Sequence, residues 1–231
     1  ICRRLERFVH GHVIFVGDSA HVVSPFGARG GNGGLQDVDA LGWRLAAVLE
    51  GRADDDLLDA YDRERVHATQ ENIRQSTWST RFITPADGAE RLFRDQVLAL
   101  AEKAPFARSW VNSGRLSKPA VYPLKGAPDD PALPDVSRPG AVAPDAPQGN
   151  GWLLSALGER MVVLAVGTEA PEVTGADTLV PEMTEEVRAR YLGDAGQAIY
   201  LIRPDQVVAA RWTDADAATV AEAIEDVWRG A

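Results

Sequence analysis

Apolar and polar positions change their period several times along the chain, and each change predicts an element. Val13 to Val16 is a short apolar run of the kind that forms a buried strand. Gly17-Asp18 ends it, and a loop carrying Pro25, Gly27, Gly30, Gly31, Gly33 and Gly34 follows. Apolar residues then recur at helical spacing: Leu35, Val38, Leu41, Leu45 and Val48/Leu49 predict an amphipathic helix beginning near Asn32 to Leu35. Gly51 suits the position just past its C-terminus. Asp54 to Asp56 then opens a long helix, Leu57 to Arg81, with Leu58, Tyr61, Arg65, Ala68 and Asn72 on one face. Thr84-Pro85 breaks it. A further helix, Gly88 to Ala104, places Leu92, Phe93, Val97, Leu100 and Ala101 on one side and stops at Pro105.

The pattern changes again at Lys118. From there to Gln148 the chain is rich in Pro, Ala and Asp, which predicts an extended connection. Beyond it the alternation of strand and helix periods predicts an α/β unit. Met161 to Val166 reads as a buried strand, and Thr184 caps a short helix through Leu192. Ala198 to Ile202 and Val207 to Trp212 flank the turn signal Arg203-Pro204-Asp205-Gln206. A final helix opens at Thr213 to Asp216 and turns Val220, Ile224 and Val227/Trp228 to the core. These periods divide the chain into residues 1–117, a Pro-rich linker at 118–148, and a small domain at 149–231.

Charge and cysteine content narrow the function classes. A net charge of −10 argues against nucleic acid and anionic membranes as partners. No run approaches the ~20 apolar residues of a membrane span. A single cysteine, Cys2, excludes an intrachain disulfide and suits a reducing cytoplasm. It also excludes Cys-x-x-Cys redox chemistry. No Cys/His spacing suggests a metal, and no Ser/His/Asp set suggests a nucleophile, so neither a metal ligand nor a catalytic residue is assigned.

The chemistry therefore concentrates in the segment from Val13 to Leu49. A carboxylate at the carboxyl end of a strand can accept hydrogen bonds from sugar hydroxyls, and open α/β sheets place ligands there. Glycines let a ligand approach the backbone closely. A helix start supplies unpaired N–H groups and a positive dipole end, which favour an anionic or strongly accepting ligand. The G-x-G-x-x-G fingerprint is absent, so glycine content alone leaves a plain surface loop equally open. His21 has a side chain suited to acid–base work, but a histidine beside a turn is more often structural. Arg65, with Glu64, reads as a packing and ion-pair residue.

The order GDSAH, Pro25, FGARG, Asn32 and QD, continued by LLDAYDRER (Leu57 to Arg65) and RQSTWSTRFIT (Arg74 to Thr84), resembles the class A FAD-dependent aromatic hydroxylases. The likeness is greatest to the branch with 3-(3-hydroxyphenyl)propionate hydroxylase-like enzymes. It implies that Asp18 binds a ribityl hydroxyl of FAD and that Gly17 passes close to the cofactor. It further implies that Pro25 lines the substrate side, with Gly27 in the same loop, and that Gly30, Gly31 and Asn32 aim N–H groups at the flavin pyrimidine edge. AIYLIRPDQVVAARW resembles a thioredoxin-like C-terminal domain of that family. The implied fold class is α/β: an incomplete FAD-binding segment with helices, then a small thioredoxin-like domain. The chain begins at Ile1 and leads directly into the motif, which is expected of the C-terminal part of a longer hydroxylase. Such an enzyme takes FAD, NAD(P)H as reductant and a small aromatic substrate. The other open reading is a non-catalytic assembly or dimer-contact module with an empty flavin loop.

Overall fold

The structure is a computed structural model that describes residues 2–23, 29–111 and 119–230. The chain forms two compact units, one of residues 1–38 and 62–120, the other of residues 39–61 and 121–231.

In the first unit, short strands β1 (Arg3–Arg4), β2 (Val9–His10), β3 (Val13–Ile14) and β4 (His21–Val22) pair as two antiparallel ladders, β1 with β4 and β2 with β3. The expected buried strand is therefore shorter than its apolar run. Among the described residues it pairs only with β2, and Val13 remains 55% exposed. Helix α1 (Arg29–Leu49) starts about a turn earlier than predicted, and helix α2 (Asp56–Ile83) follows. The division between the units passes through both helices.

Helix α1 buries an unexpected face. Gly33, Asp37, Ala40, Arg44 and Ala47 recur at helical spacing and are buried, whereas Leu35, Val38 and Leu49 of the apolar stripe are exposed. The buried stripe consists of small residues and of charges that find buried partners. On α2 the predicted face holds, with Leu58, Tyr61, Arg65, Ala68 and Asn72 all buried. At its start, in the first unit, Asp62 accepts the backbone amides of Phe8 and Val9. Helix α3 (Gly88–Lys103) is capped by Asp87, whose carboxylate accepts the Glu90 amide. Only Val97 of its predicted apolar side is buried; Leu92, Phe93 and Leu100 are exposed. A short helix, α4 (Arg108–Val111), ends this unit's described helices.

The second unit is built on one sheet. A small ladder, β5 (Pro147–Gln148) with β6 (Gly151–Trp152), precedes strands β7 (Met161–Val166) and β8 (Ala176–Leu179). Helical turn α5 (Glu185–Val187) is capped by the Thr184 hydroxyl and continues through Leu192. Strands β9 (Ala198–Ile202) and β10 (Val208–Trp212) and helix α6 (Ala217–Trp228) complete the unit. The sheet order is β10-β9-β7-β8, with β7 parallel to β8 and antiparallel to β9, and β9 antiparallel to β10. No helix lies between β7 and β8.

Side chains alternate across the sheet, and both faces are covered, so β7 and β9 read as uninterrupted apolar runs. Val162, Leu164, Val166, Tyr200 and Ile202 pack with Val187, Tyr191 and Leu192. Met161, Val163, Ile199 and Leu201 pack instead with Val220, Ala223 and Ile224 of α6. The Pro-rich stretch, described from residue 119, mixes irregular chain with turns and a 3₁₀ turn at Asp135–Ser137, and it is not a free connection. Its main chain bonds along β10 and the turn before it: Gly140 donates to Val208 O (2.8 Å), Ala143 to Gln206 O (2.8 Å), and Arg211 to Pro128 O (3.0 Å). Leu133, Ala143 and Ala146 enter the core. Proline lacks the N–H that a regular ladder needs, but its carbonyl still accepts. Gly140 is obligatory there: at φ +83° its added β-carbon would lie 2.0 Å from Tyr122 O.

Candidate functional site

Gly17 to Ser19 form one 3₁₀ turn, with Gly17 at φ +57°. The Ser19 hydroxyl closes the turn on Val16, donating to its carbonyl (2.7 Å) and accepting its amide (3.2 Å). This leaves Asp18 exposed at the turn's tip. Gly30, Gly31 and Asn32 lie in the first turn of α1, at its positive dipole end. Gly31 faces open space, with nothing within 4 Å of where a β-carbon would stand. Pro25 and Gly27 lie outside the described residues.

The turn and the helix start touch through main chain. A β-carbon on Gly34 would lie 3.2 Å from the Gly17 Cα. One on Gly33 would lie 3.2 Å from the His21 ring. Bare backbone is what permits this packing.

Beneath the turn sits a buried charge cluster. Asp37 Oδ2 accepts the Gly17 amide (2.9 Å) and His21 Nε2 (2.7 Å), and Oδ1 accepts Arg65 Nε (2.7 Å). A second Arg65 nitrogen donates to Gly33 O (3.1 Å). The Asp37 and Arg65 side chains are 0% and 1% exposed. Burial pushes the Asp37 carboxyl up, but the His21 hydrogen bond, the Arg65 charge and the Gly17 amide together hold it below the usual carboxylate range. An ionised carboxylate only accepts, so His21 Nε2 carries the proton of their bond. His21 is buried and held from one side, with no hydrogen-bond partner at Nδ1. That is the geometry of a packed structural histidine, not of a base open to substrate.

The described site residues expected from sequence thus fall in one place. Gly17 and Asp18 come together with the α1 start, where Gly30 to Asn32 lie. Asp37 belongs to the QD pair of the motif, which by itself gives no hint of a buried role. The available signal was the polar spacing Gly33, Asp37, Ala40, Arg44 along a helix read for its apolar stripe. A cavity of about 350 Å³ between α2 and α3 is lined by Trp78, Phe82 and Phe93, with Arg81 and Glu90. Its carboxylate already accepts the Ala86 amide (2.8 Å), so the cavity offers no convergent set of polar groups. No cluster of metal-ligating side chains occurs among the described residues.

The groups at the turn, an exposed carboxylate beside the amides of a helix start, fit a polyhydroxylated, partly anionic ligand. A family model described as FAD binding domain matches residues 2–76. A 3-(3-hydroxy-phenyl)propionate/3-hydroxycinnamic acid hydroxylase of Mycobacterium sp. (strain KMS) is 32% identical over 74% of this chain and 30% of its own length. Tetracenomycin A2 monooxygenase-dioxygenase of Streptomyces glaucescens is 33% identical over 87% of this chain and 38% of its own. Among solved structures, the rebeccamycin biosynthetic enzyme RebC with reduced flavin aligns at TM-score 0.73 and 26% identity, over 98% of this chain and 46% of that one. Aklavinone-11 hydroxylase with FAD and aklavinone aligns at 0.66 and 26%, over 99% and 45%.

Residues 2–76 thus match an FAD-binding domain, and the chain is similar in sequence to hydroxylases and monooxygenases. It spans under two-fifths of the length of these two curated relatives and under half of the two solved structures. No helix among the described residues is long and apolar enough to cross a membrane.

Proposed function

We propose that this chain is the C-terminal part of an FAD-dependent, NAD(P)H-using monooxygenase that hydroxylates a phenolic or related aromatic ring. The observation that carries the reading is the Gly17–Asp18 turn packed main chain to main chain against the start of α1, inside the segment matching an FAD-binding domain. Asp18 would accept hydrogen bonds from ribityl hydroxyls. The amides of Gly30, Gly31 and Asn32 would face the pyrimidine edge, where the dipole end of α1 favours negative charge. Pro25 and Gly27 would complete the same loop. Bound FAD supplies the electron-transfer and oxygen chemistry. This chain's share is to place the cofactor, and no residue of it is assigned as catalytic.

The second unit carries no site of its own in this reading. Its strand order and directions support a thioredoxin-like domain without thiol chemistry, serving packing or dimer contact. The single cysteine suits a cytoplasmic enzyme. The assembly-module alternative is not favoured, because the FAD-binding match includes the loop that the alternative leaves idle.

The test is made on the full-length protein. Purification should yield a flavin spectrum, and phenols should stimulate NAD(P)H oxidation. A flavin-loaded protein that consumes no NAD(P)H with any phenol ends the hydroxylase assignment; a colourless one that takes up no added FAD ends the flavin assignment.

A further inference from the structure

We propose that the buried pair of Arg65 and Asp37 positions the flavin-facing turn, holding it in register with the start of α1. The inference rests on the FAD reading above. Three pieces of chain converge on the pair. The Gly17 amide and the His21 ring reach one Asp37 oxygen, Arg65 takes the other, and Arg65 reaches on to the Gly33 carbonyl. Gly17 precedes the ribityl-facing Asp18, and Gly33 follows the pyrimidine-facing amides. Both ends of the proposed cofactor contact are therefore tied to one buried ion pair, Gly17 through Asp37 and Gly33 through Arg65.

A buried ion pair is a poor way to gain stability, because desolvation offsets most of the attraction. It is a good way to fix geometry, since an unsatisfied buried charge is costly and few arrangements satisfy all its partners. The guanidinium adds a planar fork that serves Asp37 and Gly33 together, which an ammonium cannot reproduce. The pair is also neutral in sum, so it orients the turn without imposing a net charge on the cofactor.

The experiment uses full-length protein with Arg65→Lys and Asp37→Asn, and Arg160→Gln on the exposed surface as control. FAD affinity is read by flavin fluorescence, the bound flavin's environment by visible circular dichroism, and the turn by hydrogen exchange at residues 15–23. Loss of one charge-assisted hydrogen bond predicts about tenfold weaker FAD binding in Arg65→Lys. Exchange at residues 15–23 and 29–34 should accelerate by a similar factor, with an altered flavin signal and an unchanged control. FAD affinity within twofold of wild type, with unchanged exchange, would overturn the proposal. So would uniform loss of protection across α2 and α3, which marks a merely structural role. Should Asp37→Asn not fold, Arg65→Lys alone decides. If wild type takes up no FAD, the flavin reading fails, and the exchange arm still judges whether the pair holds the turn.

Discussion

Asp205 offers the sharpest test of the packing in the second unit. Its carboxylate is 3% exposed and accepts two bonds from Arg203 (Nε 3.0 Å, Nη2 2.7 Å) and one from Arg44 (Nη1 3.2 Å). Arg44 also stacks 4.4 Å over the Trp43 ring. Asp205→Asn keeps the shape but removes the charge that two buried guanidiniums face. Breaking a buried pair by deleting one partner costs ~3–5 kcal/mol. The retained amide oxygen can still accept one bond, worth about 1 kcal/mol. The expected loss is therefore about 2–4 kcal/mol at neutral pH, read by urea unfolding with far-ultraviolet circular dichroism. Acidity gives a second reading. Burial raises the Asp205 carboxyl, but the Arg203 and Arg44 charges outweigh it and leave the folded value depressed. The stabilisation is thus fully present above the unfolded value of about 3.9 and is lost as pH falls through the folded one. The gap between wild type and variant should narrow below about pH 4. A neutral-pH loss under about 1 kcal/mol, or a gap independent of pH, refutes the account.

Other expectations follow from single contacts. Asp37 has the same sign, its folded carboxyl being depressed, so Asp37→Asn should flatten the first unit's stability loss below about pH 4 in an acid titration followed by tryptophan fluorescence. Gly140→Ala should lower stability by at least about 2 kcal/mol, from left-handed strain plus collision with the Tyr122 carbonyl, seen as a drop in Tm. Asp18→Ala should weaken FAD binding about 10- to 100-fold in the full-length protein, since a hydrogen bond to a charged group is worth about 1.5–3 kcal/mol, while Tm stays within about 2 °C of wild type because the side chain is exposed. Unaltered affinity by fluorescence titration removes Asp18 from the site.

Much of the second unit was legible in sequence because its signals are local. Met161 to Val166 is apolar without a break, Thr184 and Asp216 are caps, and Arg203 to Gln206 is a tight turn between two apolar runs. The face of α2 was legible for the same reason. Helix α1 was not. Its buried stripe includes Asp37 and Arg44, which can enter a core only because Arg65 and Asp205, 28 and 161 residues away, meet them. No window of local periodicity contains those partners. The packing of the Pro-rich stretch was not legible, because its main-chain partners lie on and beside a strand some 70 residues later. At the candidate site the proposed flavin-facing residues come from motif and spacing; the buried Asp37–Arg65 pair beneath the turn had no such local signal.

The contact between Gly17 and Gly34 has a consequence for how such a chain changes over time. Where two elements meet through side chains, every substitution alters a volume and the spacing drifts with it. Here there is no side chain to vary, and the distance between the turn and the helix start is set by two backbones in contact. Sequence can diverge freely around such a joint while the geometry stays put. Only a replacement of one of the glycines moves it, and that change would be abrupt.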